Sequence, residues 1–195
     1  MRYLIIIFFT IVCFNCNTHN KNNSLSSDLG SEKLNKSILS SDEIELLEQF
    51  HNRRDQVDNY IKQHSIERFS CPGCGFPTLT SRGNYEICAI CNWEDDNQDN
   101  ENADEVWGGP NYELSLTENR LIVQNHLLHL ADSIKGQIVN SPSQMLILID
   151  EQKKLFEDFI AKNENDLMTA NHDDPVWDEY KRISESAIIK MIEKR

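Results

Sequence analysis

Four stretches of the chain repeat apolar residues at the three-to-four-residue spacing that lines one face of a helix. The first opens at Ser40, three residues before Glu43 in the spacing of a capping box. Ile44, Leu47, Phe50, Val57, Ile61 and His64 then follow one face. Glu45, Glu48, Asn52, Arg53, Asp55 and Lys62 follow the other, which predicts a helix over about 42–64. Ser115-Leu116-Thr117-Glu118 repeats the box and starts a second helix, running to about Lys135 and ended by Gly136 as a C-terminal cap. Ser141-Pro142 starts a third, with Pro at the first helical position. Met145, Leu148, Ile149, Gln152, Leu155, Phe156, Phe159 and Ile160 carry its stripe, and its length favours a helix over a strand at 145–149. Asp174-Pro175 opens the last, with Trp177, Tyr180, Ile183, Ala187, Ile188, Met191 and Ile192 facing inward and His172-Asp173-Asp174 supplying the N-cap.

Residues 69–114 break this rhythm: Cys, Gly and Pro cluster, and the helical period is lost. Cys71-Pro72-Gly73-Cys74 and Cys88-Ala89-Ile90-Cys91 are two C-x-x-C pairs separated by 13 residues. Two such turns facing each other complete a tetrahedron of thiolates, which suits zinc. Gly75 and Asn92 follow the pairs, and both residue types tolerate the positive φ that turns backbone N–H groups toward the sulfurs. Thr78-Leu79-Thr80 and Tyr85-Glu86-Ile87 read as strands joined across Ser81-Arg82-Gly83-Asn84. The predicted fold class is therefore α+β: a small four-cysteine zinc-ribbon-like β-hairpin module on a mostly α-helical scaffold of about four helices. The expected metal ligands are Cys71, Cys74, Cys88 and Cys91, holding a structural Zn2+. A closed all-cysteine site leaves no open position for water, so it predicts folding rather than catalysis. Two alternatives stand beside it. One is thioredoxin-like redox chemistry at the first pair, which Pro77 opposes by blocking a helix there. The other is two structural disulfides, which an oxidising compartment permits.

After the second pair, 7 of the 12 residues from Glu94 to Glu105 are acidic. They read as a solvated acidic loop or a partner-binding face. Asp95, Asn97 and Asp99 alternate as in a calcium loop, but Asn100 stands where Gly is expected and Val106 where Glu is required. Trp93 and Trp107 flank the run as covers for the metal core. His126 and His129, with Asp132 three further on, can share a face of the second helix, which offers a metal or general-base pair. An alternative reading is thus a metal-dependent enzyme using His126, His129 and the acidic loop. No P-loop, G-x-S-x-G, H-E-x-x-H or dinucleotide fingerprint is present, and the expected class is not an enzyme.

Several short blocks recur in order: Cys71-Pro72-x-Cys74-Gly75, Tyr85-Glu86-Ile87-Cys88-x-x-Cys91, Trp93-Glu94-Asp95-Asp96, Gln98-Asp99, Gly109-Pro110-Asn111, and Leu114-Ser115-Leu116-Thr117-Glu118-x-Arg120. Together, over about 69–122, they resemble the bacterial cysteine-rich CPCC domain family. The resemblance implies a small zinc-ribbon-like module and no particular reaction. Through members found among bacterial toxin-immunity systems it hints at toxin neutralisation. Gly73 stands where that family carries a third cysteine.

The N-terminus adds a different signal. Arg2 precedes a largely apolar run of 12 residues, Tyr3 to Phe14, too short for the roughly 20 needed to span a bilayer. Asn15-Cys16-Asn17 and a polar stretch follow, as in a bacterial lipoprotein signal with Cys16 as the acylated residue. Cys13 lies inside the run, and an uncut anchor, ordinary secretion or a buried strand are the competing readings. Twelve of the 25 residues 17–41 are Asn or Ser, the composition of a disordered tether. The expected organisation is a signal at 1–16, a tether at 17–41, a helix at 42–68, the metal module at 69–122, and a helical region at 115–195 that shares its first helix with the module. The expected location is the cell envelope, lipid-anchored to a membrane.

Charge narrows the partners. With 32 acidic and 19 basic residues the formal net charge is −13, and mean hydropathy is −0.54. Nucleic acid is disfavoured, because binders bring a basic face to it. A protein partner of basic character is expected, with no small-molecule substrate identified.

Overall fold

The computed structural model describes residues 39–194. The lipoprotein signal with Cys16 and most of the tether, through residue 38, lie outside the described residues. Four helices and a two-stranded antiparallel sheet make up the α+β fold: α1 (Ser41–His64), α2 (Leu116–Ser133), β1 (Gly136–Ile138), α3 (Pro142–Thr169), α4 (Val176–Lys190) and β2 (Ile192–Lys194).

The capping boxes set the first two helix starts. The Ser40 hydroxyl accepts from Glu43 N–H at 3.2 Å while Ser40 N–H donates to Glu43 Oε2 at 2.8 Å. Ser115 and Glu118 repeat both bonds at the same distances. These caps satisfy N–H groups that the first turn leaves without a carbonyl. At the last helix the Asp174 carboxylate accepts from Val176 N–H at 3.1 Å, the capping role expected of that segment.

α2 ends differently from the expectation. Lys135, not Gly136, takes the left-handed conformation, at φ +51°. Gly136 instead begins β1, where it pairs with Lys194, followed by Gln137 with Glu193 and Ile138 with Ile192. A side chain at Gly136 would meet the Ile192 methyl at 2.5 Å and the Glu193 carbonyl at 2.8 Å, so only glycine lets the strands approach. Ile192, predicted on the last helix, lies in β2, because α4 stops at Lys190. α3 is longer than the predicted 20 residues, 28 in all, and bends at Asn163, whose side-chain amide donates to the Phe159 carbonyl at 2.9 Å.

α1 packs against α2, and α3 against α4. The fully buried Gln152 ties the second pair together by donating to the Ile183 carbonyl at 2.7 Å. One continuous apolar core runs from Cys71, Cys74 and Phe76 through Val57 and Leu127 to Met145, Ile149, Ala187 and Met191. The nine residues 71–79 are buried without interruption. The segment holding the cysteines therefore sits inside the helical scaffold.

The predicted hairpin does not form a ladder. Leu79 bridges back to Phe69, and Ile87 bridges forward to Glu94. Each bridge closes its own cysteine turn. Tyr85, at φ +57°, cannot continue an extended run. The link between 78–80 and 85–87 is made by a side chain: Glu86 Oε2 accepts from Thr80 N–H at 2.6 Å and from its hydroxyl at 2.7 Å.

Candidate metal centre

The two C-x-x-C pairs fold into the same turn. In the first, Cys71 N–H donates to the Phe76 carbonyl at 2.8 Å and Gly75 N–H donates to the Cys71 carbonyl at 2.9 Å. In the second, Cys88 N–H donates to the Trp93 carbonyl and Asn92 N–H to the Cys88 carbonyl, both at 2.9 Å. The residue after each pair takes positive φ, +75° at Gly75 and +59° at Asn92, as the sequence predicts. The reversal aims amides at sulfur: Gly73 N–H reaches Cys71 Sγ at 3.3 Å and Ile90 N–H reaches Cys88 Sγ at 3.4 Å.

The turns face each other. Cys71 and Cys91 sulfurs lie 3.6 Å apart, as do those of Cys74 and Cys88, and all four ligand atoms fall within 4.8 Å of one another. A tetrahedral ion with bonds of about 2.3 Å to sulfur places its ligands roughly 3.8 Å apart, so the cage has the size such an ion needs. A disulfide needs about 2.05 Å, and all four cysteines are free thiols. The redox alternative requires a helix opening at the first pair, where the chain instead turns and bridges. Among the described residues this is the one group of three or more His, Cys, Asp or Glu side chains whose ligand atoms converge.

The sulfurs compete for protons. Burial works against ionising Cys88, yet hydrogen bonds from Cys71, Cys74, Cys91 and Thr78 hold it well below the ordinary thiol range. Burial pushes Cys74 and Cys91 well above that range, and the hydrogen bond each gives to Cys88 adds to it. A bound cation reverses this, because it favours the thiolate at every ligand. The Thr78 hydroxyl donates to Cys88 Sγ at 3.1 Å. Thr78→Val keeps the shape and removes that bond. Metal affinity is expected to fall about 10-fold, the low end for losing an outer partner of a ligand, measured by chelator competition.

Four arginines that sequence reasoning did not single out fix this region, three against the first cysteine turn and Arg82 against the acidic loop. Arg53, placed by the helical period on the polar face of α1, is buried, with Nη2 donating to the Cys74 carbonyl at 2.8 Å. Arg120 Nε donates to the Pro72 carbonyl at 2.8 Å. Arg54 grips both oxygens of Asp99, at 2.5 and 2.7 Å. Arg82 bonds Asp99 at 2.8 Å and Asp95 at 2.9 Å. Burial alone would raise the pKa of Asp99, but the hydrogen bonds from Arg54 and Arg82 hold its carboxyl well below the usual carboxylate range. Their signal in the sequence was the acidic run, whose partners lie far along the chain.

That run is therefore only partly solvated. Asp95 is fully buried, and Gln98 braces the loop from inside by donating to the Asn102 and Glu105 carbonyls at 3.0 and 2.6 Å. The alternating Asp95 and Asp99 serve guanidiniums, and no calcium loop forms from them. Asn111 imitates a strand: its side chain accepts from Glu94 N–H at 3.0 Å and donates to the Glu94 carbonyl at 2.9 Å. Trp93 is buried and covers the cysteines, as expected, whereas Trp107 is 47% exposed and covers nothing comparable. His126, His129 and Asp132 are exposed on α2 and do not join the acidic loop in a site.

A family model described as Cysteine-rich CPCC matches residues 69–127, the span of the two cysteine turns, the arginine-bound acidic loop and the first part of α2. This region is thus similar to that family, and its cysteine cluster is compatible with metal binding. No curated protein and no solved structure matches the chain.

Proposed function

We propose that this chain is a zinc-bearing, membrane-tethered bacterial lipoprotein that works as a protein-binding module of the toxin-immunity kind. The observation that carries the zinc reading is the closed cage of four soft sulfurs within 4.8 Å. Its donor set suits zinc, and four protein ligands leave no open position for water, which gives the ion a folding role. Cys71, Cys74, Cys88 and Cys91 hold the ion, and the ion holds the two turns against each other.

Binding of a basic protein is supported by the net charge of −13 and by Trp107 and Tyr112, 47% and 54% exposed on the segment after the second turn. Exposed aromatic rings are the usual anchors of protein interfaces. The tether reading rests on the N-terminal sequence, in which Cys16 would carry the lipid. Among the described residues no helix is long and apolar enough to cross a membrane.

Three measurements on the full chain test the proposal. Metal analysis is expected to give one zinc per chain. Cys16→Ser is expected to release the protein from the membrane fraction. Affinity capture followed by mass spectrometry is expected to return a basic protein whose binding weakens with salt. Zinc-free protein with intact structure would remove the metal reading. Unchanged fractionation of the Cys16→Ser variant would remove the tether.

A further inference from the structure

Two buried positive charges beside the cysteine cage lack a matched carboxylate. Arg53 is 4% exposed on α1. Its guanidinium bonds neutral partners, the Cys74 carbonyl at 3.2 and 2.8 Å and the Gln124 side-chain oxygen, and lies 4.8 Å above the Phe76 ring. Arg120 is 2% exposed on α2, bonded to the Pro72 carbonyl and 4.4 Å above the Phe50 ring. Its nearest carboxylate, Asp99, is 3.9 Å away, and its Nη2 has no hydrogen-bond partner among the described residues. Arg54 and Arg82 already occupy Asp95 and Asp99.

An ion taken out of water without a counter-charge is among the costliest features a fold can carry. Burial works against the charge on both guanidiniums; Cys74 draws Arg53 back up, while Arg54 further opposes Arg120, and Asp99 ahead of Cys71 draws it back. Both arginines bond the backbone of the first cysteine turn itself.

We propose that Arg53 and Arg120 are the counter-ions of the metal centre. Four thiolates around a divalent ion carry a net charge of minus two, and two guanidiniums balance it. The balance favours a divalent ion over a monovalent or trivalent one and holds the thiolates in place. This rests on the zinc reading above, and it makes the two arginines positioning residues that act through charge.

The experiment compares Arg53→Lys, Arg53→Met, Arg120→Lys and Arg120→Met with the unaltered protein, first by zinc competition against a chelator and then by the midpoint potential of the iron-loaded cage. The Lys variants keep the charge and are expected to bind zinc like the parent. The Met variants are expected to lose affinity at least 10-fold. In the iron-loaded protein, a neighbouring positive charge favours the ferrous cage, which is more negative than the ferric one. The Met variants should therefore shift the potential downward and the Lys variants should not. Met variants that fail to fold beside Lys variants that load normally would support the same conclusion. Equal loss in Lys and Met variants would assign the arginines to bracing the turn and overturn the proposal, as would unchanged affinity and potential in the Met variants. A parent protein that takes up no metal would instead remove the zinc reading on which this rests.

Discussion

Stripping the metal with a chelator, or replacing Cys71 or Cys88 with Ser, is expected to unfold residues 69–92 while α3 and α4 persist. Each cysteine turn is closed by one isolated bridge of its own and no strand ladder joins the two, so backbone pairing contributes little to holding this region. Without a cation, three or four buried thiols share the protons the cage was built to exclude. Structural zinc sites in small modules supply on the order of 10 kcal/mol, and the packing of 71–79 in the core is not expected to replace all of it. α3 and α4 keep their own packing through Gln152 and the Phe159–Tyr180 ring contact. Hydrogen exchange is the direct measurement: amides of 69–92 should lose protection and those of 145–159 should keep it. Protection retained at 71–79 in metal-free protein would show that packing alone holds the turns.

The second large effect is expected at Asp99. Asp99→Asn preserves shape and removes one charge, leaving Arg54 without its bidentate partner and Arg82 with Asp95 alone. Breaking one side of this part-buried network is expected to cost less than the about 3–5 kcal/mol of a fully buried pair and more than the about 0–1 kcal/mol of a solvated surface pair. The pH dependence has a definite sign. The folded pKa of Asp99 is depressed, so its stabilisation is complete above the unfolded carboxylate value of about 3.9 and is lost as pH falls through and below it. Urea unfolding between pH 7 and pH 3 should show a steeper acid loss in the parent protein than in Asp99→Asn. Parallel curves would mean that Asp99 is not the group that titrates.

The parts legible in the sequence are those governed by near neighbours. Ser40 with Glu43 and Ser115 with Glu118 fix helix starts within three residues, and the turns at Gly75 and Asn92 follow from two residues' tolerance of positive φ. The cysteine cage is legible for the same reason, since each pair closes its own turn. What escaped depends on distant partners. Arg53 reads as solvent-facing until Cys74 is brought to it from 21 positions away, and Arg54 meets its partner Asp99 only across 45. β1 and β2 are three residues each, too short to show a period, and Ile192 extends the apolar stripe of α4 so smoothly that the break is invisible. The 78–80 and 85–87 hairpin had the right composition, but Tyr85 turns the chain where the pairing needed it straight.

The uninterrupted burial of 71–79 bears on how this protein can be cut. The stretch similar to a known family, 69–127, leaves out α1, yet α1 contributes Phe50, Arg53, Arg54 and Val57 to the wall around the first turn. A recombinant piece trimmed to those margins would present an open socket to water and carry off its own floor. The smallest self-sufficient fragment therefore starts upstream, at the Ser40 cap, and any transplant of the cysteine turns into another scaffold must bring that helix along.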